Sequence, residues 1–202
     1  MPRPELHSTE HILDAARALV LDRGARAATV NGIASTSGAP KGSIYHRFAT
    51  TGDLLAAMWL RAVRRAQRGT LDAMAIDDPV EAAVAGGLSV YDFARAESAD
   101  ARLLASLRRE DLFDSVSDRT LQRELGAAND ALQTALVELT MRLHGRASRA
   151  AVEQTACAVT DLPLGAIRRH LVAGSALPAA LRDQLEAAIR AALAVDRSNE
   201  PS

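Results

Sequence analysis

The residues best suited to chemistry lie together between Thr29 and Phe48, in the stretch TVNGIASTSGAPKGSIYHRF. Lys41 is the single lysine among 24 Lys and Arg residues. A lysine ammonium pairs with guanine O6 and N7 or with a phosphate oxygen. Ser43, Tyr45 and His46 add polar groups within one further turn, and Gly42, lacking a side chain, lets a backbone come close to another molecule. This is equipment for holding nucleic acid. Elsewhere no Ser/His/Asp set, phosphate-binding loop or paired-carboxylate motif stands out, and His7, His11, His46, His144 and His170 show no metal spacing. No catalytic residue, metal or cofactor is therefore expected, and the chain is not read as an enzyme. Cys157 is the only cysteine and reads as a small core residue.

Two short helices joined by a tight turn are needed to present those groups. Thr29 can cap the first through its hydroxyl, and Val30, Ile33 and Ala34 give it an apolar face. Gly38 stands where that helix must stop, in a conformation that costs a residue with a Cβ. Pro40 pre-sets φ at the start of the second helix. Phe48 reads as a core plug behind it. This is the grammar of a helix-turn-helix, whose second helix enters the DNA major groove by its N-terminal residues.

Composition agrees with a helical DNA-binding protein. Of 202 residues, 48% are hydrophobic but only 3% aromatic, so the core must be built from Leu, Ala, Val and Ile. Abundant Ala and Leu favour helices throughout. No apolar run is long enough for a membrane span, no secretion signal is visible at the N-terminus, and a single cysteine suits a reducing cytoplasm. Net charge is −1, but its distribution is uneven. Residues 1–68 hold 10 basic groups against 5 carboxylates, and the remainder 14 against 20. A basic head on an acidic body suits DNA binding. Arg3 lies on a Pro-flanked tail that could enter a minor groove.

Along the chain, a first helix is expected from Ser8 or Thr9 to Gly24, and a fourth from a Thr50 or Thr51 cap through residues 53–68. Further helices are expected over 80–97, 100–113 and 120–144, the last with an apolar stripe from Leu121 to Leu143. Residues 148–173 should be kinked or split near Pro163, and residues 179–195 form the last helix. Arg61, Arg64, Arg65 and Arg68 read as a solvated or salt-bridged face. Gly86-Gly87 inside a helix costs about 1 kcal/mol per residue and signals close helix contact or room for a ligand.

Residues 1–56 resemble the DNA-binding domain of the TetR family of transcriptional regulators. Ile33-Ala34, Gly38, Gly42-Ser43, Tyr45, Phe48 and Leu54-Leu55 match the family pattern in order and spacing. Two positions depart from it: Thr51 stands where relatives usually carry lysine, and Ser37 where they often carry alanine. Beyond residue 56 the likeness is one of architecture.

The resemblance implies an all-α protein: an N-terminal three-helix helix-turn-helix DNA-binding domain (1–52), a larger helical effector-binding and dimerisation domain (53–197) and a disordered tail (198–202). It implies a cytoplasmic homodimer bound to double-stranded DNA, without a membrane, and a repressor released from a palindromic operator by a small-molecule effector of unknown identity. Tyr45 and His46 would touch phosphates, and Thr29, Pro40, Lys41, Gly42, Ser43 and Thr51 complete the DNA-binding set. Trp59, Tyr91, Phe93, Leu103, Leu107, Phe113 and Met141 are candidates for lining an effector cavity, with core packing the default for each. The last two helices, by their order, would form the dimer interface through the face around Leu171, Leu181, Leu185 and Ile189. A DNA-binding regulator without an effector, and a helical enzyme with a vestigial helix-turn-helix, are the alternatives.

Overall fold

The computed structural model describes residues 8–195, and these are helical, with no strand among them. Arg3, His7 and the tail 198–202 lie outside the described residues. The helices are α1 (Thr9–Arg23), α2 (Val30–Ser37), α3 (Lys41–Arg47), α4 (Thr51–Met74), α5 (Pro79–Ala96), α6 (Ser98–Ser106) and α7 (Arg109–Phe113). There follow α8 (Arg119–Gly126), α9 (Asp130–His144), α10 (Arg149–Ala156), α11 (Leu162–Ala173) and α12 (Ala180–Leu193). They form two compact units, one of residues 1–64 and 99–128, the other of 65–98 and 129–202.

The first unit is built on α1. Its Ile12, Leu13, Ala16, Leu19 and Val20 are all buried, as the helical spacing of apolar residues requires. They share one core with Val30 and Ile33 of α2, Ile44 of α3, Phe48, and Leu54, Leu55 and Met58 of α4. Leu103, Leu107, Leu112, Val116 and Leu125, from the segment 99–128, complete that core. Trp59 is closed inside it, with its indole N–H donating to the Leu107 carbonyl at 3.0 Å.

The second unit packs α5 against α9, α11 and α12. A Cβ on Gly87 would lie 2.6 Å from Ile189 Cδ1 and 3.2 Å from the Ala158 carbonyl oxygen, and one on Gly86 3.3 Å from Val159 Cγ1. The glycine pair thus admits close helix contact. Arg142 of α9 donates to the Met74 carbonyl at 2.6 Å and to those of Ile76 and Asp77, capping the last carbonyl of α4 and the turn after it.

Several sequence expectations need correction. The single helix over 120–144 is two, α8 and α9, broken at residues 127–129. Its apolar stripe serves two cores: Leu121, Leu125 and Ala128 pack in the first unit, and Leu132, Ala135, Leu139 and Leu143 in the second. The helix over 100–113 is likewise interrupted, because Arg108 is extended and Asp111 accepts its N–H. The face around Leu171, Leu181, Leu185 and Ile189 does not await a partner. These side chains are buried within the chain, Ile189 completely, against Gly87. The exposed faces of the same helices carry Leu164 and Val172 on α11 and Ala180, Gln184, Ala187 and Ala191 on α12. The interruption near Pro163 is present: a π-helical turn at Cys157–Asp161 precedes α11, with Pro163 in its first turn.

Candidate nucleic-acid interface

Local chemistry sets the geometry of the helix-turn-helix. Thr29 Oγ1 accepts from the Gly32 N–H at 3.2 Å and caps α2. Gly38 ends α2 at φ 68°, ψ 3°, the left-handed region where a Cβ is penalised. Ser37, buried, donates its hydroxyl to the Ile33 carbonyl at 2.7 Å and accepts from the Ala39 N–H at 3.2 Å. The Ser37 carbonyl lies 2.9 Å from His11 Nε2. The turn is thus tied to α1 from outside its own sequence. Pro40, at φ −57°, gives its carbonyl to the N–H groups of Ser43 and Ile44 and so starts α3.

Helix α3 is held by one side chain. Ile44 is its only buried residue, and Phe48 plugs the core just beyond. Lys41, Gly42, Tyr45 and His46 are all exposed, Tyr45 at 56%. A tyrosine left this open does not fill the core. A Cβ on Gly42 would meet nothing within 4 Å, so no packing within the chain calls for glycine there. Ser43 is half-buried, and Arg47 reaches back to its carbonyl at 3.0 Å and to its hydroxyl. Thr51 is half-buried at the first position of α4.

The DNA-binding candidates Pro40, Lys41, Gly42, Ser43, Tyr45 and His46 thus stand together on or beside one seven-residue helix, with Thr29 at the start of α2 and Thr51 at the start of α4. The candidates for an effector site are not brought together in this way. Trp59, Leu103 and Leu107 are core of the first unit, where Phe113 is exposed. In the second, Tyr91 is fully buried with its hydroxyl donating to the Pro178 carbonyl at 3.0 Å, Phe93 is half-buried and Met141 is exposed.

Two basic residues of α4, Arg61 and Arg64, are ion-paired within the first unit. Arg61 is buried and donates to Glu10 Oε2 at 2.8 Å and to Asp14 Oδ1 at 2.7 Å, while Arg64 meets Glu124 at 2.9 Å. Arg17 bridges Asp14, at 3.1 Å, and the fully buried Asp100.

Sequence reasoning passed over Asp53. It is 1% exposed and receives five donors. Thr50 N–H, Thr50 Oγ1 and Ser117 Oγ reach Oδ2 at 3.1, 2.8 and 2.8 Å. Ser117 N–H and Asp118 N–H reach Oδ1 at 2.8 and 2.9 Å. Burial by itself raises the pKa of this carboxyl. The hydrogen bonds from Asp118, Ser117 and Thr50 outweigh it and hold the value below the ordinary 3.8. The Thr50-x-x-Asp53 spacing was legible as a capping box, whereas no local signal points to partners 64 and 65 residues away.

A model of the bacterial regulatory proteins of the tetR family matches residues 12–58, the span from α1 into α4. The head belongs to the TetR family. No curated protein matches the chain. Solved structures extend the likeness in fold beyond the TetR head. The fatty acid degradation regulator FadR from Bacillus halodurans has a TM-score of 0.69 at 16% identity, over 91% of this chain and 98% of that one. The TetR-family transcriptional regulator PfmR from Thermus thermophilus also reaches 0.69, at 18% identity over 94% and 99%. The ketosteroid transcriptional regulator KstR2 of Mycobacterium tuberculosis reaches 0.64, at 18% identity over 91% and 93%. The chain therefore has the all-helical TetR fold with an N-terminal helix-turn-helix. Among the described residues no helix is long and apolar enough to cross a membrane, and none of them form a group of three or more His, Cys, Asp or Glu placed to hold a metal.

Proposed function

We propose that this protein is a homodimeric transcriptional repressor that binds a palindromic operator and is released by a small-molecule effector. The observation that carries the DNA-binding part is the outward face of α3. Lys41, Gly42, Tyr45 and His46 stand exposed on a helix whose inner side is fixed by Ile44. In this reading Lys41 reaches base edges or phosphate, Gly42 lets the backbone approach, and Tyr45 and His46 touch phosphates. Thr29, Ser43 and Thr51 offer hydroxyls at the margins, and Pro40 sets the entry of the helix. Residues 1–52 act as the DNA-binding domain and 53–197 as the effector and dimerisation domain.

Two copies would place their recognition helices in successive major grooves, about 34 Å apart. The exposed faces of α11 and α12 supply the contact between them. Val172 is 68% exposed and Leu164 48%, and the alanines of α12 allow close helix approach. The effector acts by favouring a state in which the heads no longer match the operator, a coupling of two sites through one two-state element.

Selection from random duplex DNA tests the reading. Inverted repeats should be recovered, and log K should fall linearly with log salt as counterions are released. Failure to recover a symmetric site, or an affinity indifferent to salt, would refute it.

A further inference from the structure

The start of α4 carries more structure than a helix cap needs. The reciprocal pair of Thr50 and Asp53 is sufficient as a capping box, with Thr50 Oγ1 accepting the Asp53 N–H at 3.0 Å and Asp53 Oδ2 accepting the Thr50 N–H. Yet the same carboxylate takes three more donors from Ser117 and Asp118. Five donors saturate the roughly four lone-pair sites of a carboxylate. Gly52, beside it, is buried in the first turn of α4, and a Cβ there would overlap the Ser115 carbonyl. Glycine is a poor helix former, and here only glycine admits the loop. The loop itself is anchored: Val116 is buried in the core of the first unit, and Gln122 Nε2 donates to its carbonyl at 2.7 Å.

This junction is close to the DNA-reading helix along the chain. Residues 48–50 alone separate α3 from α4. Phe48 donates its N–H to Ile44 of α3 at 2.9 Å, and Thr50 is bonded to Asp53 through both its N–H and its hydroxyl. The short link between the two helices is therefore fixed at one end by α3 and at the other by the carboxylate that also holds residues 117 and 118.

We propose that Gly52 and Asp53 form a socket for residues 114–118, and that this socket positions α3 and the start of α4 for specific DNA binding. Asp53 is a positioning residue that touches no DNA. It acts through Thr50 on the α3–α4 link, and the docked loop keeps its carboxylate from turning away. The proposal rests on the DNA-binding reading given above.

The test uses the full chain, a selected operator duplex and a scrambled duplex. Asp53→Asn, Gly52→Ala and their double variant are compared with wild type, and Ser117→Ala serves as the mild variant if Gly52→Ala does not fold. Amide exchange at Ser117 and Asp118, without DNA, reports whether the loop has left its socket. Each single variant should raise that exchange and weaken operator binding about tenfold, with less than about threefold change on scrambled DNA. The double variant should lose little more than the worse single one, because both disrupt one unit. Wild-type operator affinity in Asp53→Asn or Ser117→Ala overturns the proposal whatever the exchange shows. Equal loss on both duplexes also overturns it, since that marks general damage to the head. A wild-type chain that binds neither duplex defeats the DNA reading itself, and the positioning role with it.

Discussion

Replacing Gly42 by alanine separates the fold of α3 from its use. Within the protein the added methyl meets nothing within 4 Å, so it creates no clash. The helix gains the propensity difference between Ala and Gly, at most about 1 kcal/mol and less in a first turn. Folding should therefore be unharmed or slightly improved. The duplex should respond in the opposite sense. If α3 lies in a major groove with its first turn against the DNA, the space open around Gly42 is the space the duplex fills. A methyl forced into a packed contact costs about 1–3 kcal/mol, roughly 5- to 150-fold in affinity per half-site at 1.4 kcal/mol per tenfold. The assays are a thermal melt and an anisotropy titration against the selected operator. A variant that melts at or above wild type and binds more weakly fits the docking. One that melts as well and binds with unchanged affinity would show that the first turn of α3 does not approach DNA.

Lys41→Ala should weaken operator binding by about 1–3 kcal/mol per half-site if Lys41 reads a base, whereas loss of a phosphate contact alone weakens all duplexes alike and lowers the salt slope by about one; salt titrations on operator and scrambled DNA decide, with Thr51→Lys restoring affinity only in the phosphate case. Leu185→Arg buries a charge at a site 3% exposed and should unfold the second unit, while Val172→Arg, at a site 68% exposed, should leave a folded monomer; sedimentation that shows a stable dimer for Val172→Arg would remove α11 from the interface. Because the Asp53 carboxyl is held below its ordinary 3.8, its contribution to stability is present above that value and lost as pH falls through the lower folded value. The stability gap between wild type and Asp53→Asn, read from denaturant melts, should therefore narrow as pH is lowered below 3.8, and a gap independent of pH would refute the assignment.

The helix-turn-helix was legible because its instructions are local. A capping threonine, a left-handed glycine, a proline, the apolar spacing of Val30, Ile33 and Ala34, and the Phe48 plug all act within twenty residues. The helices beyond were legible as helices but not as neighbours. An apolar stripe from Leu121 to Leu143 states that residues are buried, not what covers them, and here it passes from one core to another at residue 128. For the same reason the buried face of α12 passed for an interface: Leu185 and Ile189 look alike in sequence whether α5 or a second chain covers them. Asp53 was hidden more completely, since Ser117 and Asp118 come to it through the tertiary fold.

What the structure adds is a division of labour within the head. The outward residues of α3 are exposed, so if they read DNA as proposed, changing Lys41, Gly42, Tyr45 or His46 should alter what the helix recognises at little cost to the fold. Its pose is set by other groups: Ile44 and Phe48 beneath it, Arg47 folded onto Ser43, His11 against the Ser37 carbonyl, and Asp53 behind Thr50. In the proposed reading, recognition and placement fall on different side chains. A change on the outer face should move binding without moving the melting temperature. A change at a brace should impair specific binding by misplacing a face whose chemistry is intact. The braces at His11 and Asp53 flank the recognition helix, one on the turn before it and one past its end. In the proposed reading the two together set its tilt, which a single buried isoleucine on a seven-residue helix cannot do alone.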